Sequence, residues 1–383
     1  MRLNQVQTPA LILDRQRLLA NAKAMTALTK TRGLNLRPHM KTCKSVDVAR
    51  IALKENFGGI TVATLNEAEY FSSHGIQDIL YGVCVTPDKL SWIAELQRKG
   101  ARMIVITDSL AVAKVLADWK PDINVKLKVL IEVDCGEHRT GVVPDDPTLL
   151  EIANCIHDAS HVELAGVMTH AGHSYSCDSV AQIAGVSEQE RMAAVKAASM
   201  LRRNGFPCEN VSVGSTPTAL HAVSAEGITE IRAGVYLFND LFQTEVFSCE
   251  IADIAVSVLA TVISHNKSQD KILIDAGGLA LSKDRSTAST KRDSGYGQLT
   301  DMKGRPLGRD LFVSGTHQEH GEISVVDALS FDLLPIGSRV RVLPNHACMT
   351  SAMHDAYHVV DGESDVISHI WRRTNGWQSV DFD

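Results

Sequence analysis

Leu34-Asn35-Leu36-Arg37-Pro38-His39-Met40-Lys41-Thr42-Cys43-Lys44 is the stretch on which the reading of this chain turns. It begins as an alternating apolar run, the period of a β-strand. Pro38 has no N–H to give and ends the regular ladder, and residues 44–53 return to helical spacing. A strand end therefore carries an arginine, a histidine and a lysine in one short loop. In an α/β scaffold that is where a reactive side chain can be held rigidly beside a ligand. A lysine gains a chemical role when its stem is fixed and its pKa lowered, because only the free amine forms a Schiff base. Taken by itself, the stretch reads more simply as one solvated lysine and a histidine packed in a loop.

Working outward, the same strand-then-helix grammar recurs. A strand at residues 10–13 precedes a helix at 15–29, whose stripe is Leu18, Leu19, Ala22, Met25 and Leu28. Further strands are expected at residues 60–62, 79–83, 103–106, 125–133, 164–168, 211–213 and 228–232. Helical segments at 66–72, 89–96, 111–116 and 188–203 lie between them. Counted from Leu34, these strands predict a closed parallel (β/α)8 barrel rather than a doubly wound open sheet. After Phe247 the grammar changes. Residues 251–261, 272–275, 322–326, 338–343, 358–360 and 366–371 read as strands without regular helices between them. The fold class expected is α/β, a barrel over residues 10–247 followed by a predominantly β domain over 248–383. Residues 282–297 are polar and end in glycine, a loop pattern.

With 383 residues the chain can bury a large core, and its length suits two domains. A formal charge of −7, with no long Lys/Arg run, gives no reason to expect nucleic acid. The opening lacks a secretion signal and no apolar run reaches bilayer length, so a soluble cytoplasmic protein with no membrane partner is expected. The eight cysteines are scattered without a CxxC pair, which predicts reduced, mostly buried thiols. Cys348 stands apart because His346 lies two residues away. In a strand both side chains would share one face and could share a metal, although an isolated His-x-Cys also reads as packing.

The lysine stretch is followed, in order, by Thr64-Leu65-Asn66-Glu67-Ala68-Glu69, Ile131-Glu132-Val133-Asp134, His138-Arg139-Thr140-Gly141 and Thr169-His170-Ala171-Gly172. Then come Gly214-Ser215-Thr216-Pro217-Thr218, Glu230-Ile231-Arg232-Ala233-Gly234, Gln318-Glu319-His320-Gly321 and Pro344-Asn345-His346-Ala347-Cys348. With these motifs the chain resembles, over nearly its whole length, the pyridoxal-phosphate enzymes of the D-threonine aldolase and D-serine dehydratase family. The resemblance implies an alanine-racemase-type barrel, with residues 1–9 returning to the β-rich domain. It also implies that Lys41 carries pyridoxal 5'-phosphate, that a divalent metal sits on His346 and Cys348, and that the active unit is a homodimer sharing residues across two chains.

Within that resemblance, Gly214-Ser215-Thr216 follows a strand and offers hydroxyls and backbone N–H groups to a phosphate, with Gly234 and Val235 a second close approach. For either glycine a tight barrel turn is the competing explanation. Tyr175 is a donor toward phosphate or substrate, or a packing ring. Arg139 contacts the cofactor ring, or makes a structural salt bridge. His39 and His170 lie near the ring. Lys41 is the expected base at the α-carbon. Hydroxide leaves poorly, and a metal on an imidazole and a thiolate, zinc on grounds of ligand softness, would assist it.

The expected reaction is dehydration of a D-3-hydroxy amino acid, D-threo-3-hydroxyaspartate or D-serine, to a 2-oxo acid and ammonia. The His-x-Cys pair is the dehydratase form; the aldolase branch has aspartate at the position of Cys348. Asp284-Arg285 and the segment from Asp293 to Gln298 favour hydroxyaspartate. The alternatives are retro-aldol cleavage to glycine and an aldehyde, and a cofactor-homeostasis protein, which would need neither the β-domain nor the His-x-Cys pair. His173, Arg285 and His317 receive no role.

Overall fold

The computed structural model describes residues 1–308, 311–325 and 329–377. The chain divides into two compact units. One is Met25–Gly234, together with the chain from Gly376 on; the other is Met1–Ala24 with Val235–Asn375. The seam thus falls earlier than residue 247, and the N-terminal share of the β-rich unit extends beyond residues 1–9. The reason is β1 (Ala10–Asp14), whose partners all lie late in the sequence.

The first unit carries eight strands: β2 (Asn35–Leu36), β3 (Gly59–Val62), β4 (Asp78–Cys84), β5 (Arg102–Thr107), β6 (Leu127–Glu132), β7 (Val162–Met168), β8 (Asn210–Val213) and β9 (Glu230–Ile231). They run parallel in the order β2-β9-β8-β7-β6-β5-β4-β3, the (β/α)8 order expected. Near-continuous apolar runs such as Met103 to Ile106 suit strands covered on both faces. Leu80, Ile104, Ile106, Leu130, Ala165 and Met168 pack as one buried cluster across β4 to β7.

Pro38 does not end the pairing as expected. Arg37 and His39 donate to the carbonyls of Ile231 and Ala233 at 2.9 and 2.8 Å, extending β2 along β9. On the opposite side the Pro38 carbonyl accepts from Thr61 N–H at 2.9 Å, and Met40 N–H donates to Thr61 at 2.8 Å. The missing N–H is simply not needed there.

Helices start where a hydroxyl caps them. Thr64, Ser109 and Ser179 accept from the third residue of Leu65–Ser73, Leu110–Asp118 and Val180–Arg203. Val180–Arg203 starts eight residues before the expected helix. Thr148–His157 was not expected at all, although Leu149, Ile152, Ala153 and Ile156 carry its buried stripe.

The second unit is a nine-stranded mixed sheet. Besides β1 it holds β10 (Val256–Asn266), β11 (Lys271–Ile274), β12 (Gly297–Thr300), β13 (Val313–Thr316), β14 (Gly321–Ser324), β15 (Arg339–Pro344), β16 (Ala356–Val360) and β17 (His369–Arg372). The main path is β13-β14-β11-β10-β1-β16-β17, with β15 joining β10 to β12. Every residue of β1 is buried; it pairs antiparallel with β10 and parallel with β16. Residues 251–253 form a 3-10 turn instead of opening the strand, and the short β12 and β13 were not foreseen. Residue 326, expected in a strand, lies outside the described residues.

Candidate active site

Lys41 leaves a backbone pinned on both sides. Met40, Thr42 and Cys43 are buried around it while its own side chain is exposed, and its N–H approaches His39 Nδ1 at 3.3 Å. The His39 imidazole is held well below its ordinary pKa, first by burial and then by the charges of Lys41 and Arg232, so it stands neutral. Arg37, two residues before His39, is not aimed at a ligand. Its Nε donates to Glu230 at 2.8 Å and its Nη1 to Asp78 at 2.6 Å.

The other barrel candidates sit at strand ends. His170 follows β7, and its Nδ1 lies 2.7 Å from the Gly214 carbonyl; that contact assigns the proton to Nδ1. Burial pushes its pKa down to about 3, against the opposing effect of that carbonyl. Ser215 is buried, with its Oγ 3.0 Å from Ser174 Oγ and its hydroxyl capping the short helix behind it. Gly214 has φ of +140°, and a Cβ there would meet the Arg232 carbonyl at 2.4 Å. At Gly234 a Cβ would meet the His39 carbonyl at 2.6 Å, so this glycine is required by the lysine strand itself. Val235 is buried and opens a 3-10 turn in the other unit. Tyr175 is half-buried in the turn Gly172–Ser176. Arg139 is exposed and pairs with Glu137 at 3.3 Å, which favours the salt-bridge explanation. Asp134 braces that loop by accepting from Gly136 N–H, His138 N–H and His138 Nδ1.

Two buried charges behind these loops received no role in the sequence reading. Glu190 Oε1 accepts from Ala171 N–H at 3.0 Å and Gly214 N–H at 2.9 Å, gripping the residues beside His170 and Ser215. Arg232 donates to Ser212 Oγ at 2.6 Å and to the Thr169 carbonyl at 2.5 Å. A third group, Cys84, Asp108 and Glu132, brings three potential ligand atoms within 4.8 Å of one another. Cys84 Sγ lies 3.0 Å from Glu132 Oε2 and 3.5 Å from Asp108 Oδ1. Burial and the two carboxylates push the thiol pKa up, so the thiol keeps its proton and donates to Glu132.

The residues of this unit suit pyridoxal phosphate. The Thr216 hydroxyl and both His173 ring nitrogens are buried with no hydrogen-bond partner among the described residues. Orphaned groups of this kind are what phosphate and ring substituents would satisfy.

The second unit holds His346 and Cys348, but not on a strand. β15 ends at Pro344; His346 is the N-cap of the helix Ala347–Ala352, and Cys348 lies in its first turn. The side chains still reach hydrogen-bond contact, so a turn of helix does what strand alternation was expected to do. His346 Nδ1 is 2.7 Å from Asp284 Oδ2, which leaves Nε2 as the free ligand atom. Burial works against charge on this ring, yet Asp284, Cys348 and Asp240 together raise its pKa to about 11. Asp284 in turn is held at about 2, first by His346. A soft thiol and an imidazole whose Nδ1 is held by Asp284 form a donor pair that a divalent cation fits in place of the Nε2 proton. Arg285 is ion-paired with Asp293 and stacks over Tyr296, and His317 Nε2 is 2.9 Å from Glu322.

Comparison with known proteins follows the same division. Residues 13–241 match the family model for the alanine racemase N-terminal domain, and residues 255–360 the putative serine dehydratase domain. The chain belongs to the pyridoxal-phosphate fold-type III family. It is 43% identical to D-threo-3-hydroxyaspartate dehydratase of Delftia sp. strain HT23, over 97% of this chain and 98% of the relative. It is 30% identical to D-serine dehydratase of Dictyostelium discoideum, over 96% of each. A cysteine-to-alanine variant of a D-threo-3-hydroxyaspartate dehydratase, solved in metal-free form, superposes with a TM-score of 0.95. That match has 42% identity and covers 98% of this chain and 100% of the other. No described helix is long and apolar enough to cross a membrane.

Proposed function

We propose that this chain is a metal-assisted dehydratase of D-3-hydroxy amino acids, releasing a 2-oxo acid and ammonia, with D-threo-3-hydroxyaspartate its preferred substrate and D-serine a second. The observation that carries this reading is the His346–Cys348 pair with Asp284 behind it, in a family member that retains Lys41 at a pinned strand end. The unit Met25–Gly234 would serve the cofactor, and the β-rich unit, Met1–Ala24 with Val235–Asn375, the metal. A homodimer and a cytoplasmic setting complete the proposal.

Bound pyridoxal phosphate supplies an electron sink for the charge left when the α-proton departs. Lys41 would hold the cofactor and, once the substrate amine has displaced it, its freed Nζ would take that proton. Ser215, Thr216 and Gly234 would seat the phosphate, with Tyr175 and Val235 beside them. His39 and His170, both kept neutral, would lie near the ring without adding positive charge. Arg139 would steady the loop after β6 through Glu137. His346 Nε2 and Cys348 Sγ would hold zinc, which supplies Lewis acidity for loss of the β-hydroxyl. The barrel sheet is inferred to close through Pro38 to Met40 against Thr61, which makes the lysine loop part of a continuous ring of strands.

The test follows products from D-serine, D-threonine and both D-3-hydroxyaspartate diastereomers. Stoichiometric ammonia and 2-oxo acid, suppressed by chelation, are expected. Glycine and aldehyde as main products would select retro-aldol cleavage, and undiminished elimination by verified metal-free enzyme would refute the metal role.

A further inference from the structure

The loop Ser282 to Gly297, polar enough to read as a solvent-exposed connection, is built inward around the metal pair. Its Thr287 and Ser294 are buried. Asn345, immediately before His346, donates through Nδ2 to Thr287 Oγ1 at 2.7 Å and to the Gly295 carbonyl at 2.6 Å. Its Oδ1 accepts from Thr287 N–H at 3.2 Å. On the other side of His346, the Ala347 N–H donates to Asp240 Oδ2 at 2.8 Å, and Asp240 Oδ1 accepts from Gln243 N–H at 2.8 Å. The backbone of His346 is therefore clamped through both neighbours, and one freedom remains: the ring and its tautomer.

Asp284 removes that freedom. Its Oδ2 lies 2.7 Å from His346 Nδ1 while its Oδ1 accepts from Ser286 Oγ at 2.6 Å, and its own N–H donates to Ser282 Oγ at 3.0 Å. Both carboxylate oxygens are engaged, so the group cannot swing away without breaking two hydrogen bonds. We propose that Asp284 is a positioning residue for the metal. It keeps the His346 proton on Nδ1, presents Nε2 as the ligand, and raises the basicity of that nitrogen through the carboxylate–imidazole hydrogen bond. Ser286 sets the carboxylate, and Asn345 and Asp240 set the backbone. The inference rests on the reading that His346 and Cys348 hold the metal.

The experiment compares D284A, D284N and S286A with H346A and C348A, each as cofactor-loaded, metal-depleted enzyme. Zn²⁺ affinity is measured by titration calorimetry, and the ligand field by the visible spectrum after Co²⁺ loading. The cofactor absorbance band and melting temperature serve as controls. D284A is expected to weaken Zn²⁺ binding about 10–100-fold and to alter the Co²⁺ spectrum, with the cofactor band retained. D284N keeps an acceptor for Nδ1–H and should lose less, a rescue that a merely structural role would not produce. S286A should follow in the same direction by a smaller factor. If D284A does not fold, weakened Zn²⁺ binding in D284N or S286A supports the proposal and wild-type binding in both overturns it. Wild-type affinity and spectrum in folded D284A, while H346A and C348A lose Zn²⁺, also overturn it. Undisturbed Zn²⁺ binding in H346A and C348A instead removes the underlying reading and the proposal with it.

Discussion

Glu190, midway along the helix Val180–Arg203, is buried and accepts the N–H of Gly214 at 2.9 Å. The same oxygen takes the N–H of Ala171. One carboxylate thereby ties the loop after β7 to the loop after β8. Removing it would leave two buried donors unpaired, each costing about 1–3 kcal/mol. E190A should lower stability by roughly 3–5 kcal/mol and weaken cofactor retention, while E190Q, which keeps an acceptor, should lose markedly less. Urea unfolding with cofactor-release titration checks this; equal behaviour of both variants and the parent would contradict the staple.

The neutral His170 gives the protein an acid-side weakness. An unfolded histidine takes a proton near pH 6.5, whereas this one does so only at about 3. Between those values the unfolded chain binds more protons, so stability falls as pH falls from 6.5. His39 acts in the same sense. H170Q should flatten the drop in urea midpoint between pH 6.5 and 4.5. An unchanged drop would show that His170 is already charged in the folded protein.

Borohydride reduction of the holoenzyme should fix the cofactor to Lys41. K41A should keep its fold, since the side chain is exposed, and lose turnover on the order of 10²–10⁴-fold. Peptide mapping decides the point, and label on any other lysine would remove Lys41 from its role.

Two glycines should respond in opposite directions. G234A drives a methyl into the His39 carbonyl and should cost about 1–3 kcal/mol with a loss of cofactor affinity. G185A meets nothing within 4 Å on an exposed helix face and should stabilise by about 0.5–1 kcal/mol. Melting curves of the two variants read this directly.

The strand-and-helix rhythm of the barrel was legible because each strand is a short apolar run with turn residues on either side, as at Ile79 to Val83. The lysine segment and the His-x-Cys pair were legible as motifs. The local conformation of that pair was not, because Asn345-His346 reads as a strand continuation until Pro344 and the following helix are placed together. Glu190 was invisible in the sequence, and Asp284 and Arg232 stood in motifs without a role, for a different reason. Each acts on backbone or side chains distant in sequence, and a single charged residue carries no mark of burial. Cys84, Asp108 and Glu132 likewise meet only because adjacent parallel strands bring them together.

The burial of β1 between β10 and β16 sets a schedule for synthesis at the ribosome. Residues 10–14 emerge first, yet their earliest partner is made about 240 residues later, which at about 5–20 residues/s is roughly 12–48 s. In the barrel sheet β3 to β9 each pair with the strand next in sequence, while β2 waits about 195 residues for β9. An apolar segment, Ala10 to Leu13, is therefore left without its native neighbours for most of translation. A nascent chain stalled before Val256 should be the form most readily captured by a holdase chaperone through the segment Ala10 to Leu13.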